Sequence, residues 1–158
     1  MLNLFKTNGM HNTYIKILLL TVLGTLFSLQ GTSAQSCRGY DKKCDSAPKH
    51  FEASSLSRSI TMRKARKTVI NQTFYGNREY FISVCGKRQL GKIHFRLIAD
   101  DESQTVLYDN AIENFLETQL FVIQNTMKVK IELSAPHYFD DQNAECAGVQ
   151  VHYNRNDK

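Results

Sequence analysis

The chain of 158 residues contains no tryptophan, no closely spaced Cys-x-x-Cys pair and no internal repeat. Each absence excludes something. Without tryptophan the usual platform for stacking sugar rings is missing, which counts against a glycan ligand. Without close cysteine pairs, the regular ligand spacing of a structural zinc site is lacking. There is no His-Glu-x-x-His, no Gly-x-Ser-x-Gly elbow and no phosphate-cradling glycine loop. The sequence therefore points to a protein that is not an enzyme and needs neither cofactor nor metal.

One long apolar run is present, and it is N-terminal. Lys6 and Lys16 precede Ile17 to Leu29, and Thr32-Ser33-Ala34 supplies small residues for a peptidase. That is the layout of a secretory signal, too short and too soon polar for a membrane span. Cleavage after Ala34 leaves Gln35 at the new N-terminus, with cleavage after Ser36 as the competing site. The remaining 124 residues make one domain of ordinary size, and losing two of 20 basic residues against 15 acids leaves +3. So small a charge is no argument for nucleic acid. The expected location is secreted or periplasmic.

All four cysteines, Cys37, Cys44, Cys85 and Cys146, follow the cleavage site. An even count in an exported chain favours two disulfides. Cys37 and Cys44 flank a short polar loop, so the expected bridges are Cys37–Cys44 and Cys85–Cys146. A lipid anchor on Cys37 is disfavoured, because Ala34-Gln35-Ser36 fits poorly before an acylated cysteine and acylation would strand Cys44.

The boundaries read as a signal peptide over 1–34, a polar lead-in over 35–67 and a sandwich domain over 68–154. Within the last, polar and apolar residues alternate with period two, the mark of half-buried strands. Tyr80, Ile82, Val84, Phe95, Leu97, Val129, Ile131, Val149 and Val151 are expected to share one core. Leu120 to Ile123 is apolar on both faces and is expected to sit centrally. Gln124-Asn125-Thr126 reads as a hairpin turn. Ile112, Phe115, Leu116 and Leu120 are spaced like a helix face behind Asp109-Asn110, so 111–118 admits a short helix. Turns every eight to twelve residues make the fold class all-β, an antiparallel β-sandwich of jelly-roll type. On a strict alternation Cys146 falls on the outer face, unless a bulge at Ala147-Gly148 turns it over.

Tyr80 to Val84, His94 to Leu97, Val106 to Asn110 and Met127 to Leu133 together resemble the bacterial pre-peptidase C-terminal domain and related GOLD-like jelly rolls. The resemblance spans Thr68 to Tyr153. It implies a small β-sandwich attached to, or secreted with, larger proteins, and mostly non-catalytic.

Candidate site residues lie in connections or on polar strand faces. His94 and His152 fit exposed strand positions better than a metal pair lacking a third ligand. Asp100-Asp101-Glu102 and Asp140-Asp141 fit solvated acidic turns better than a calcium site, since no EF-hand spacing accompanies them. Arg58, Arg63, Lys64, Arg66 and Lys67 occur without an intervening acid, which suits the guarded edge of a sheet or a polyanion. Tyr138 and Phe139, after Pro136, are the candidate ligand-binding residues on a loop. The partner expected is a protein or glycan, met by loops at one end of the sandwich; an enzyme or enzyme inhibitor on the same scaffold is the alternative. Mass spectrometry of the exported protein is expected to show a chain starting at Gln35 or within two residues of it. Retention of Ile17 to Leu29 would contradict this.

Overall fold

Among the described residues nine strands carry the fold: β1 (Glu52–Ala53), β2 (Arg58–Met62), β3 (Thr68–Phe74), β4 (Arg78–Gly86), β5 (His94–Ala99), β6 (Val106–Asp109), β7 (Thr118–Ile123), β8 (Met127–Ser134) and β9 (Glu145–Arg155). The computed structural model describes residues 36–140 and 143–155, all within one unit running from Gln35 to Lys158. One sheet has the order β1-β9-β4-β7, with β2 also paired to β9; the other has the order β3-β8-β5-β6. Every pairing is antiparallel.

The pairings β2–β9, β3–β8, β4–β7 and β5–β6 are nested, as if one long hairpin had been rolled into two layers. That nesting is the jelly roll, all-β and antiparallel. Only β5 and β6 are successive strands paired within one sheet; the other connections from β2 to β9 cross between layers.

The alternating residues build the core as their period requires. Tyr80, Ile82 and Val84 of β4 and Val149 and Val151 of β9 face Phe95 and Leu97 of β5 and Val129 and Ile131 of β8, and all are buried. Tyr80 stacks on Phe74 at 4.2 Å between ring centroids, and its hydroxyl accepts the Tyr75 N–H at 2.8 Å.

Four expectations are corrected. Gln124-Asn125-Thr126 is not a hairpin turn: β7 pairs with β4 and β8 pairs with β3, so the connection crosses between sheets. It runs beside the β3–β4 crossover, where Gly76 donates to Thr126 Oγ1 at 3.0 Å. A Cβ on Gly76 would lie 2.6 Å from the Gln124 carbonyl oxygen, so only glycine lets the two crossovers meet. Second, β7 is an edge strand rather than a central one. Phe121 and Ile123 turn inward, while Leu120 and Val122 keep about half their surface exposed. Third, the helix over 111–118 shrinks to a 3-10 turn, Asn110–Glu113. Asp109 caps it by accepting the Ala111 N–H, as expected, but Asn114 and Phe115 take left-handed backbone (φ 56° and 60°) and end it. Fourth, the sandwich reaches back before residue 68, since β1 and β2 both pair with β9.

The disulfides are also re-paired. The bridges are Cys37–Cys146 and Cys44–Cys85. β4 and β9 run in unbroken register over nine pairs, so no bulge turns Cys146 inward, and Cys85 faces Gly148 across the strands. Both strand cysteines thus lie on the outer face. The 3-10 turn Tyr40–Lys43, bracketed by Cys37 and Cys44, lies down on that face and sends one thiol to each strand. Gly148 is the contact: a Cβ there would sit 2.6 Å from Asp41 Cα and 2.9 Å from Cys44 Sγ. A Cys37–Cys44 bridge would close a tiny loop, whereas the observed bridges link residues 109 and 41 apart. Each then constrains the unfolded chain by about 4–5 kcal/mol in the chain-entropy description.

Two substitutions test this architecture. Ile131→Ala removes a fully buried side chain and is expected to cost about 2–5 kcal/mol in denaturant melts. Gly148→Val is expected to displace the 40–43 turn and slow oxidation of both bridges, read by thiol titration during refolding.

Candidate functional site

Because neighbouring strands are antiparallel, the crossovers β2–β3, β4–β5, β6–β7 and β8–β9 emerge at one end of the sandwich. The first is a tight turn, closed by Arg66 N–H to the Arg63 carbonyl at 3.3 Å and by left-handed Ala65 (φ 53°). With the chain after β8 it bounds an open groove of about 260 Å³, lined by Lys64, Arg66, Lys67, Ser134, Pro136 and Phe139 among others. Lys67 is paired with Glu132 at 3.1 Å.

The two candidate aromatics part company. Phe139 is 70% exposed at the groove. Tyr138 is 4% exposed and belongs to the core; its N–H bonds to the Ala135 carbonyl and its hydroxyl donates to the Asn143 carbonyl at 3.2 Å. Tyr138 also lines the groove, but with so little of it exposed its ring chiefly closes the end of the core.

Beside the groove lies a cluster that no motif announced. His94 stands directly opposite Ser134 across β5 and β8, and its Nε2 is 2.7 Å from Asp109 Oδ1 at the end of β6. Burial pushes the Asp109 carboxyl up, but the Ala111 amide and His94 outweigh it and hold the group below the usual carboxylate range. Ser134 Oγ is 3.5 Å from His94 Nδ1, at the outer limit of a hydrogen bond. Phe115 packs edge-on between His94 and His137, with Lys92 Nζ 5.7 Å from its ring centre. These residues come from separate strands and loops, so only the strand register brings them together.

The remaining candidates are dispersed. His152 lies on the outer face of the β9-β4 sheet and His94 on the outer face of the other, so they cannot share a metal. Among the described residues no group of three metal-binding side chains occurs. Asp100 is held by Lys130 at 2.9 Å. Asp101 takes N–H bonds from Ser103 and Gln104 and so builds its own turn. Asp140 accepts the Asn143 amide at 3.1 Å, and Asp141 lies outside the described residues. Cys37, bonded to Cys146, has no thiol for a lipid. Among the described residues no helix is long and apolar enough to cross a membrane.

No protein-family model matches the chain, and no curated protein matches it in sequence. Among solved structures, it is similar to PliG of Aeromonas hydrophila, described as a periplasmic lysozyme inhibitor of g-type lysozyme. That match has 10% identity and a TM-score of 0.42, covering 70% of this chain and 91% of that one.

His152 is a titratable probe of the outer face of its sheet. Its Nδ1 is buried without a hydrogen-bond partner among the described residues, and burial pushes the imidazole below its ordinary value. A histidine that holds its proton less tightly when folded leaves the unfolded chain binding more protons, so stability rises with pH. Melting temperature is expected to fall as pH drops through about 6.5, the unfolded value, and to level off below the folded one. His152→Gln is expected to flatten that step. An unchanged pH profile in the variant would mean that the ring is solvated.

Proposed function

We propose that this protein is an exported, non-catalytic recognition module that takes an acidic protein partner at its crossover end, with Phe139 as the apolar anchor. One observation carries the reading: a single groove gathers the acid-free β2–β3 crossover and a large, mostly exposed aromatic ring. Loops on a rigid sandwich are the usual seat of recognition. Cationic side chains steer an acidic partner to the site, while a desolvated aromatic supplies most of the affinity. Arg63 and Arg66 have no ion pair among the described residues, so their charge is available to a partner. The two disulfides fit folding in an oxidising compartment outside the cytoplasm.

The test is fluorescence anisotropy with a labelled peptide rich in glutamate and containing phenylalanine. Phe139→Ala is expected to weaken binding by about tenfold, the scale of one lost anchor. Arg63→Glu with Arg66→Glu is expected to abolish it, and added salt to weaken it. The melts should be unchanged. Binding indifferent to both variants would overturn the reading.

A second reading, hydrolysis, is favoured by the Ser134–His94–Asp109 juxtaposition. In it His94 takes the Ser134 hydroxyl proton while Asp109 orients the imidazolium. Labelling by a fluorophosphonate probe, lost in Ser134→Ala and His94→Ala, would replace the binding reading with this one.

A further inference from the structure

The two lateral edges of the sandwich differ in every respect that matters for pairing. On one side lie β2 and the two-residue β1, both on β9, and β3, which the 63–67 crossover joins to β2. The run from Arg58 to Lys67 holds five basic residues and no acid. On the other side lie β6 and β7, joined by the crossover containing the 3-10 turn. From Leu97 to Met127 there are six acids and no lysine or arginine.

The second edge is also apolar. Val106, Leu107, Ile112, Leu116, Leu120 and Val122 are each at least 44% exposed, six of the nine large hydrophobic residues exposed in the described structure. Neither β6 nor β7 has a second strand partner among the described residues. β7 pairs with β4 over six residues in unbroken register, without proline or lysine to guard its free side. Such an edge is a template for another strand.

Strand direction points to the occupant. Within β2-β9-β4-β7 each neighbour is antiparallel, so β2 and β7 run oppositely, and the same holds for β3 and β6 in the other sheet. A second copy displaced sideways, without rotation, presents its β2 antiparallel to β7 and its β3 antiparallel to β6. The basic 63–67 crossover and the acidic 110–117 crossover lie at the same end, so this displacement also brings them together. The alternative of two β7 edges meeting about a twofold axis leaves the basic 63–67 crossover of both copies on the far side, out of contact.

We infer that the β6–β7 edge is a docking surface for the β2–β3 edge of a second copy, giving head-to-tail lateral association. A heterologous contact of this kind does not close on itself, so copies add in an open row. Arg63 and Arg66 also serve the proposed acidic-partner groove, whereas Leu120 and Val122 lie on the opposite edge. Variants at the latter therefore separate the two proposals.

Sedimentation velocity on the purified exported chain tests this. At low salt the mass is expected to rise with concentration past two chains, and to fall back as salt is added. Arg63→Glu/Arg66→Glu and Leu120→Lys/Val122→Lys each block one edge and are expected to sediment as monomers with an unchanged far-UV spectrum. Glu117→Arg provides a second block if the lysine pair disturbs the fold. Mixed one to one, the two blocked variants retain one compatible pair of edges and are expected to stop at two chains. A wild-type chain that stays monomeric at low salt overturns the inference. So does a mixture that fails to pair, or a blocked variant that dimerises alone, which would mark a twofold interface instead.

Discussion

The unbroken register between β4 and β9 is the constraint from which the rest follows. Nine pairs without a bulge put Tyr80, Ile82, Val84, Val149 and Val151 on one face and Cys85, Cys146 and Gly148 on the other. The inner set fills the core. The outer set makes a seat of a particular shape, with two thiols and an open backbone between them, which only a tight turn carrying two cysteines fits. Slipping the register by one residue would bury the cysteines and expose the valines, so core and bridges depend on the same alignment.

Most strands were legible because a half-buried strand writes its burial into the sequence as alternation. β3, β4, β5, β8 and β9 all carry that mark. What alternation does not encode is who lies beside whom. Leu120 to Ile123 reads as central because it is apolar on both sides, yet the nested pairing sends β7 to an edge, and its second apolar face meets solvent. Gln124-Asn125-Thr126 has hairpin chemistry, but a jelly roll spends the same short turn on a change of layer. β2 was missed because its residues alternate weakly and its identity as a strand comes from β9.

The candidate site was legible in part for a related reason. Sequence placed aromatics and bases in loops, and the fold gathers Phe139 and the 63–67 crossover into one groove. It did not say which of two adjacent aromatics turns inward, since neighbouring loop residues point in unrelated directions, and Tyr138 is taken by the core. The Ser134, His94 and Asp109 cluster was invisible for want of any motif. Its members are 40 and 15 residues apart from His94, and cross-strand pairing alone makes them neighbours. The same pairing explains the failure of the local disulfide expectation: proximity along the chain favours Cys37 with Cys44, but the seat over Gly148 holds the two thiols above different strands.

The Cys37–Cys146 bridge has a consequence for survival among proteases. It ties the first described segment to the beginning of the last strand, so every loop between those residues lies inside a covalent ring. A single nick anywhere in that ring opens it without releasing a fragment. The severed ends stay tethered at molecular distance, and the strands on either side keep their partners within reach. Only a second cut could free a piece, and the Cys44–Cys85 bridge prevents even that when one cut falls between those two cysteines and the other between Cys85 and Cys146.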